Sequence, residues 1–144
     1  MIKIGSFKDI NASYDEVWVI VRSLKNGLPK PCTEKQKMYH VPHLSPSWDL
    51  FKDYLNWAKT GAWNYDCFVE KYAPRFLSQM KEAEGKRALN ALFHKSKSMN
   101  ILLVCFCPDE TMCHRSIVAG LLQGVGAEVE GNDYSHFYGM YKNN

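Results

Sequence analysis

The chain has 144 residues, of which 46% are hydrophobic and 23% charged, with a formal net charge of +3. That length and balance fit one ordinary globular domain with a core of its own, and exclude a disordered or fibrous chain. A charge so small and so evenly spread gives no support to a nucleic-acid binder, although it permits an anionic ligand.

The start, Met1-Ile2-Lys3-Ile4-Gly5-Ser6, lacks the layout of a signal peptide, and no apolar run approaches the ~20 residues of a membrane span. A cytoplasmic protein without membrane contact is the expectation. Residues 2–5 read as a short strand and 17–21 as a stronger one. The ~10 residues between them barely suffice for a helical crossover, so an irregular or hairpin-like link fits equally well. Asn26-Gly27 and Leu28-Pro29-Lys30-Pro31 read as turn and loop, and 37–41 as a third strand ending at Pro42.

Ser45-Pro46 reads as an N-cap with proline in the first helical position. The helix it opens turns Leu50, Phe51, Tyr54, Leu55 and Ala58 inward and stops near Gly61. A second helix, 66 to about 81, aligns Phe68, Tyr72, Phe76 and Met80 and is expected to kink at Pro74. A third, 87 to about 97, buries Ala88, Leu89, Leu92 and Phe93.

The apolar run 101–105 has the length and β-branched character of a buried strand. Ile117, Val118, Leu121, Leu122 and Val125 then recur as a helical stripe, with Gly126 placed as a C-terminal cap. A last strand is expected around 128–130, and 134–144 is an aromatic tail without periodicity. Alternating strands and helices imply a single three-layer, Rossmann-like α/β domain with a mostly parallel sheet, over 1–133. Its strand ends gather Gly5-Ser6, Arg22-Ser23, Pro42-His43 and the 105–115 turn on one edge.

That turn is the richest segment. Of five cysteines, Cys105, Cys107 and Cys113 crowd into one short stretch, beside His114 and Arg115. An odd, clustered set is a poor disulfide framework and points to reduced thiols or metal ligands. A helix N-terminus with a guanidinium suits an anion, and a thiol in that field becomes nucleophilic. The thiol-phosphatase loop needs Cys, five residues, then Arg; the position six before Arg115 is Asp109, so that signature is not met. Cys-x-Cys-x5-Cys-His alternatively supplies the four ligands of a tetrahedral zinc site, in a spacing unlike the usual two separated pairs. The bland alternative makes the cysteines small core residues.

Elsewhere, Arg22 after an apolar strand would bring a second guanidinium to the crevice, and His43 a further ligand or base. Asp109 and Glu110 read as helix-dipole partners that could also move a proton. Trp48, Trp57 and Trp63 read as core, since no basic patch accompanies them.

Leu103-Val104-Cys105, then Cys113-His114-Arg115-Ser116 at its spacing, resembles the family called domain of unknown function 488. Arg22 at a strand end, Leu44-Ser45-Pro46-Ser47 and Phe68-x-x-x-Tyr72 are similar to segments of the same family. The resemblance covers most of residues 1–130 and is specific over 101–122. Cys107 stands where the family usually has glutamate, and the Cys-x-Cys…Cys-His run is also similar to an uncharacterised phage-associated domain. The resemblance implies an α/β fold with a cysteine-bearing pocket, a suspected enzymatic role, and nucleotide or nucleic-acid base chemistry.

The combined expectation is a site for a small anionic ligand, a nucleotide or phosphorylated metabolite. Arg115 and Arg22 would clamp the anion, with Cys107 and His43 beside it. Cys105 or Cys113 would be the reactive thiol and His114 the proton carrier. The competing readings are a non-enzymatic phage or bacterial interaction module and a small structural zinc domain. Cofactor and oligomeric state are left open.

Overall fold

The computed structural model describes residues 1–143; Asn144, the end of the expected tail, lies outside them. Its strands are β1 (Ile2–Gly5), β2 (Glu16–Val19), β3 (Lys37–His40), β4 (Ile101–Val104) and β5 (Val129–Glu130). They form one five-stranded sheet in the order β3-β2-β4-β1-β5, with every pairing parallel. All residues of β2 and β4 are buried, as in a parallel sheet covered on both faces. This is the Rossmann-like α/β architecture expected from the alternation.

Gly5, Val19, His40 and Val104 stand in register across the sheet, so four strands finish level. β4 inserts between β1 and β2, and the link joining those two holds only a 3-10 turn at Phe7–Asp9. The chain leaves β2 toward β3 on one side, whereas β4 connects across β1 to β5 on the other. The connections therefore diverge between β2 and β4. In an open α/β sheet this switch point leaves a crevice at the strands' C-terminal ends.

The first long helix, α1 (Trp48–Thr60), begins later than its Ser-Pro signal suggested. Ser45 instead closes a preceding 3-10 turn, donating its Oγ–H to the Pro42 carbonyl at 2.6 Å, while Ser47 caps the helix by accepting from the Leu50 amide at 3.2 Å. Gly61 ends it with φ of 78°, a left-handed position open to glycine. Leu50 is buried and Phe51, Tyr54 and Trp57 half-buried, but Leu55 and Ala58 face outward. The buried stripe is narrower than read. Trp48 is exposed as well, which corrects its reading as core.

The next helical stretch passes from α2 (Tyr65–Cys67) through a π turn at Phe68–Tyr72 into α3 (Ala73–Gln79). Pro74 has no N–H to offer the preceding turn. The chain absorbs this by widening that turn, so that the Ala73 amide bonds the Phe68 carbonyl five residues back. Phe68, Tyr72, Phe76 and Met80 are all buried, as their alignment predicts. α4 (Ala83–Ser96) starts ahead of the expected position, and Gly85 in its first turn packs its bare Cα against Met80.

α5 (His114–Gly124) ends in a Schellman arrangement. The Ala127 amide reaches the Leu122 carbonyl at 2.9 Å, the Gly126 amide reaches that of Gln123 at 3.0 Å, and Gly126 has φ of 93°. The aromatic tail is ordered, forming α6 (His136–Asn143) against α5. Two glycines one turn apart make the room. A Cβ on Gly120 would stand 2.0 Å from the Tyr134 carbonyl oxygen, and one on Gly124 would stand 2.1 Å from the Tyr138 ring.

Candidate functional site

A cavity of about 110 Å³ opens at the β2–β4 switch point. Val21, Arg22 and Ser23, following β2, form one side, and Cys105, Phe106 and Cys107, following β4, another. Met112, Cys113 and His114 close it from the start of α5, and Phe51, Tyr54, Trp63 and Tyr72 lean in from the helical layer.

The chemistry lies in one cluster. Cys105, Cys107, Cys113 and His114 each offer one donor atom, all within 4.8 Å of one another. Cys105 Sγ and Cys113 Sγ are 3.2 Å apart, and Cys113 Sγ lies 3.6 Å from His114 Nδ1. Cys105, Cys113 and His114 are buried and Cys107 is half-buried. Local structure aims each of them. Cys105 is the first residue beyond β4; Cys113 is the N-cap of α5, its sulfur accepting from the Arg115 amide at 3.5 Å. His114 opens the helix, with Nε2 2.6 Å from the Ile20 carbonyl oxygen. A carbonyl only accepts, so Nε2 carries a hydrogen and Nδ1 faces the sulfurs.

Arg115 is 3% exposed and lies behind the sulfurs rather than on the cavity wall. Its Nε donates to Cys113 Sγ at 3.4 Å, Nη2 to the Cys107 carbonyl at 2.8 Å, and Nη1 to the Gly5 carbonyl. No carboxylate pairs with it among the described residues, so the cluster itself is its counter-charge.

The ionisation of the cluster follows from this packing. Burial pushes the Cys113 thiol up, but hydrogen bonds from Cys105 and Cys107 and the neighbouring His114 outweigh it, holding Cys113 well below the ordinary thiol range. Hydrogen bonding to Cys107 and Cys113, followed by burial, pushes Cys105 up. Burial lowers the His114 imidazole, and the negative charge at Cys113 more than offsets it, raising the group to about 10. Arg115 is lowered by burial and raised further by Cys113 and Cys105. One negative charge is thus shared by three sulfurs between an imidazole and a guanidinium.

Arg22 lines the cavity, with Nε on the Pro46 carbonyl at 2.9 Å and Nη2 on that of Ser45 at 3.1 Å. Burial lowers its pKa, and no acid pairs with it among the described residues. His43 is not brought in. It sits outside, exposed, with Nδ1 3.0 Å from Glu84. Asp109 and Glu110 also stand apart: Asp109 caps the turn before α5 through Thr111, and Glu110 accepts from the Tyr134 hydroxyl at 2.6 Å.

Residue-by-residue sequence reasoning did not single out Tyr54, Trp63 and Tyr72 as site residues. They were legible as apolar helical or core positions, without a sign that this face meets a cavity. Neither tyrosine hydroxyl bonds to protein among the described residues. Burial, then the charge on the cysteines, holds both above the usual phenol range, Tyr72 further than Tyr54. Both remain hydrogen-bond donors.

A family model described as DUF488-N3a, Active DUF488-N3 subclade, matches residues 2–126. The chain belongs to this family. No curated protein and no solved structure matches it. In this DUF488-N3a chain the matched span contains all five strands but β5, and every residue of the sulfur cluster. The resemblance read from the Cys…Cys-His-Arg segment is borne out. No helix among the described residues is long and apolar enough to cross a membrane.

Proposed function

We propose that the cavity is the active site of an enzyme acting on a small anionic substrate, a phosphorylated metabolite or the reacting end of a nucleotide. One observation carries this reading. Arg22, Tyr54 and Tyr72 line the same cavity as the three cysteines and His114. In a mostly apolar wall that contains no carboxylate, these few donor-bearing side chains suit a ligand whose reacting end carries acceptor oxygens.

Arg22 and the two phenols hold the anion, and Cys105, Cys113 and His114 supply the reactive centre. Arg115 positions Cys113 and does not touch substrate. The volume of about 110 Å³ is below the ~300 Å³ at which drug-sized pockets begin, so only the reacting group of a nucleotide fits inside. The groove between Phe7, Phe106 and the 23–29 loop shares Ser23, Phe51 and Phe106 with the cavity and gives the remainder room. The matching family model is described as an active subclade, which favours an enzyme over a docking module.

The test is a thermal-shift panel of nucleotides, phosphorylated metabolites and inorganic phosphate, because a ligand that binds the folded state raises apparent stability. A hit is expected to lose its shift in Arg22→Ala. Shifts that survive this substitution unchanged would place the anion elsewhere and overturn the reading.

A further inference from the structure

We infer that Cys105, Cys107, Cys113 and His114 bind a divalent metal ion of the zinc type at the floor of the cavity. This rests on the reading of the cavity as the functional site, and names the cofactor that site would use.

The donor atoms lie near the spacing that a tetrahedral ion requires. Zinc–sulfur bonds of about 2.3 Å and zinc–nitrogen bonds of about 2.0–2.1 Å place the corners of a tetrahedron roughly 3.5–3.8 Å apart. The cluster offers Sγ–Sγ of 3.2 Å and Sγ–Nδ1 of 3.6 Å, with no donor pair beyond 4.8 Å. Adjustments of under about an ångström on average would close a tetrahedron.

The surrounding groups fit a metal centre as well. A ligating histidine is usually fixed by a hydrogen bond from its other nitrogen to a carbonyl or carboxylate. His114 has this arrangement, with Nε2 on the Ile20 carbonyl and Nδ1 toward the sulfurs. Charge is consistent too. Three thiolates, a neutral imidazole and a dipositive ion sum to minus one, and the buried Arg115, with no carboxylate partner among the described residues, supplies the balancing plus one. Its Nε and backbone amide both point at Cys113 Sγ, as N–H groups do around metal-bound sulfur. Three sulfurs and one imidazole select zinc-like, thiophilic ions over magnesium or calcium, which prefer oxygen.

The ligands are unequal. Cys105 and Cys113 are 1% exposed, His114 is 4% exposed, and all three sit on regular elements or directly at their ends. Cys107 is half-buried in the connecting turn. All four line the cavity, and three buried ligands with a fourth on a less buried turn are the layout of a site that can open to substrate, whereas a purely structural site is closed on all sides. On binding, the metal takes the sulfur lone pairs, and the thiol protons leave to solvent.

Elemental analysis of the full chain, purified without chelator, is expected to find about one zinc per chain. Titrating metal-free protein with Co²⁺ is expected to give the intense visible bands of tetrahedral cobalt and thiolate-to-cobalt charge transfer. Cys113→Ser and His114→Ala are expected to lose the metal. Cys107→Ser is expected to keep it at roughly tenfold or more weaker affinity, with water as the fourth ligand. Cys32→Ser, an exposed thiol, serves as the unaffected control.

The inference falls if folded wild type carries no metal and its apoprotein gives no charge-transfer band with Co²⁺. It falls equally if Cys113→Ser, folded by circular dichroism, binds Co²⁺ as wild type does. These outcomes are separable from the fate of the active-site reading. Metal-free protein that still gives an Arg22-dependent ligand shift keeps the substrate cavity and loses the metal. Metal-loaded protein with no Arg22-dependent shift does the reverse.

Discussion

The Nε of Arg115 donates to Cys113 Sγ at 3.4 Å, while the two terminal nitrogens of the same guanidinium are held by the carbonyls of Gly5 and Cys107. One planar fork therefore ties the end of β1, the turn after β4 and the N-cap of α5 into a single unit. This explains a cation at the start of a helix, where the macrodipole disfavours it. The side chain balances sulfur charge instead of facing solvent.

Arg115→Met is accordingly expected to destabilise the chain by about 3 kcal/mol, because it strands buried carbonyls and an uncompensated cluster charge. Arg115→Lys is expected to recover little, since an ammonium cannot reach three acceptors set in a fork. Urea unfolding of the three proteins measures this. A lysine variant as stable as wild type would show that charge alone, and not the tie between elements, is at work.

The approach of α6 to α5 gives a second expectation. At Gly120 the obstruction is the Tyr134 backbone, and at Gly124 it is the root of the Tyr138 side chain, whose Cβ would stand 2.3 Å away and moves only with the α6 backbone. Gly120→Ala is expected to cost about 1–3 kcal/mol and to release α6, visible as early proteolysis within 134–143. Gly124→Ala is expected to cost a similar amount, because turning the Tyr138 ring does not move its Cβ. A Gly120→Ala or Gly124→Ala protein as stable and as protease-resistant as wild type would contradict this account of the packing.

These features separate what the sequence makes legible from what it hides. The buried strand at Ile101–Val104, the α5 stripe from Ile117 to Leu122, the Gly126 cap and the Phe68–Tyr72–Phe76–Met80 line depend on local periodicity and appear in the fold, whereas Val125, at the end of the expected stripe, lies past α5 and is exposed. α6 carries only one turn of stripe, Phe137, Met140 and Tyr141, too short to read as a helix, and its close fit depends on two glycines on another helix. The start of α1 was ambiguous because Ser45 and Ser47 both carry capping hydroxyls, and only the preceding 3-10 turn decides between them. Arg22 and the sulfur cluster were legible as chemistry beyond strand ends. That His43 pairs with Glu84 and that Arg115 turns inward depends on which helices cover the edge, information no local pattern holds.

Tyr134, just ahead of α6, is tied by its hydroxyl to Glu110 in the turn before α5, and its alkaline titration is expected to show this bond. Burial, then that bond, pushes its pKa up to about 12. The folded state thus holds the proton more tightly than the unfolded chain, whose phenol titrates near 10. The resulting stability is complete below about pH 10 and lost as pH rises toward about 12. Wild type is expected to lose more melting temperature across this window than Tyr134→Phe. Identical losses in the two proteins would show that Tyr134 does not contribute.

Tyr72→Phe offers the cleanest probe of the cavity itself. The change removes one oxygen whose hydrogen bonds, among the described residues, go to no protein group, so the folded protein should lose almost no stability. In the proposed enzyme the same hydroxyl donates to an anionic substrate, a contact worth about 1.5 kcal/mol, or roughly tenfold in affinity. Arg22→Ala is expected to weaken the same ligand further. It should also cost some stability, because the guanidinium holds the Ser45 and Pro46 carbonyls as well. Calorimetric affinities set beside melting temperatures distinguish the two roles. A Tyr72→Phe protein that binds the ligand normally but melts early would make this tyrosine a packing residue and remove it from the site.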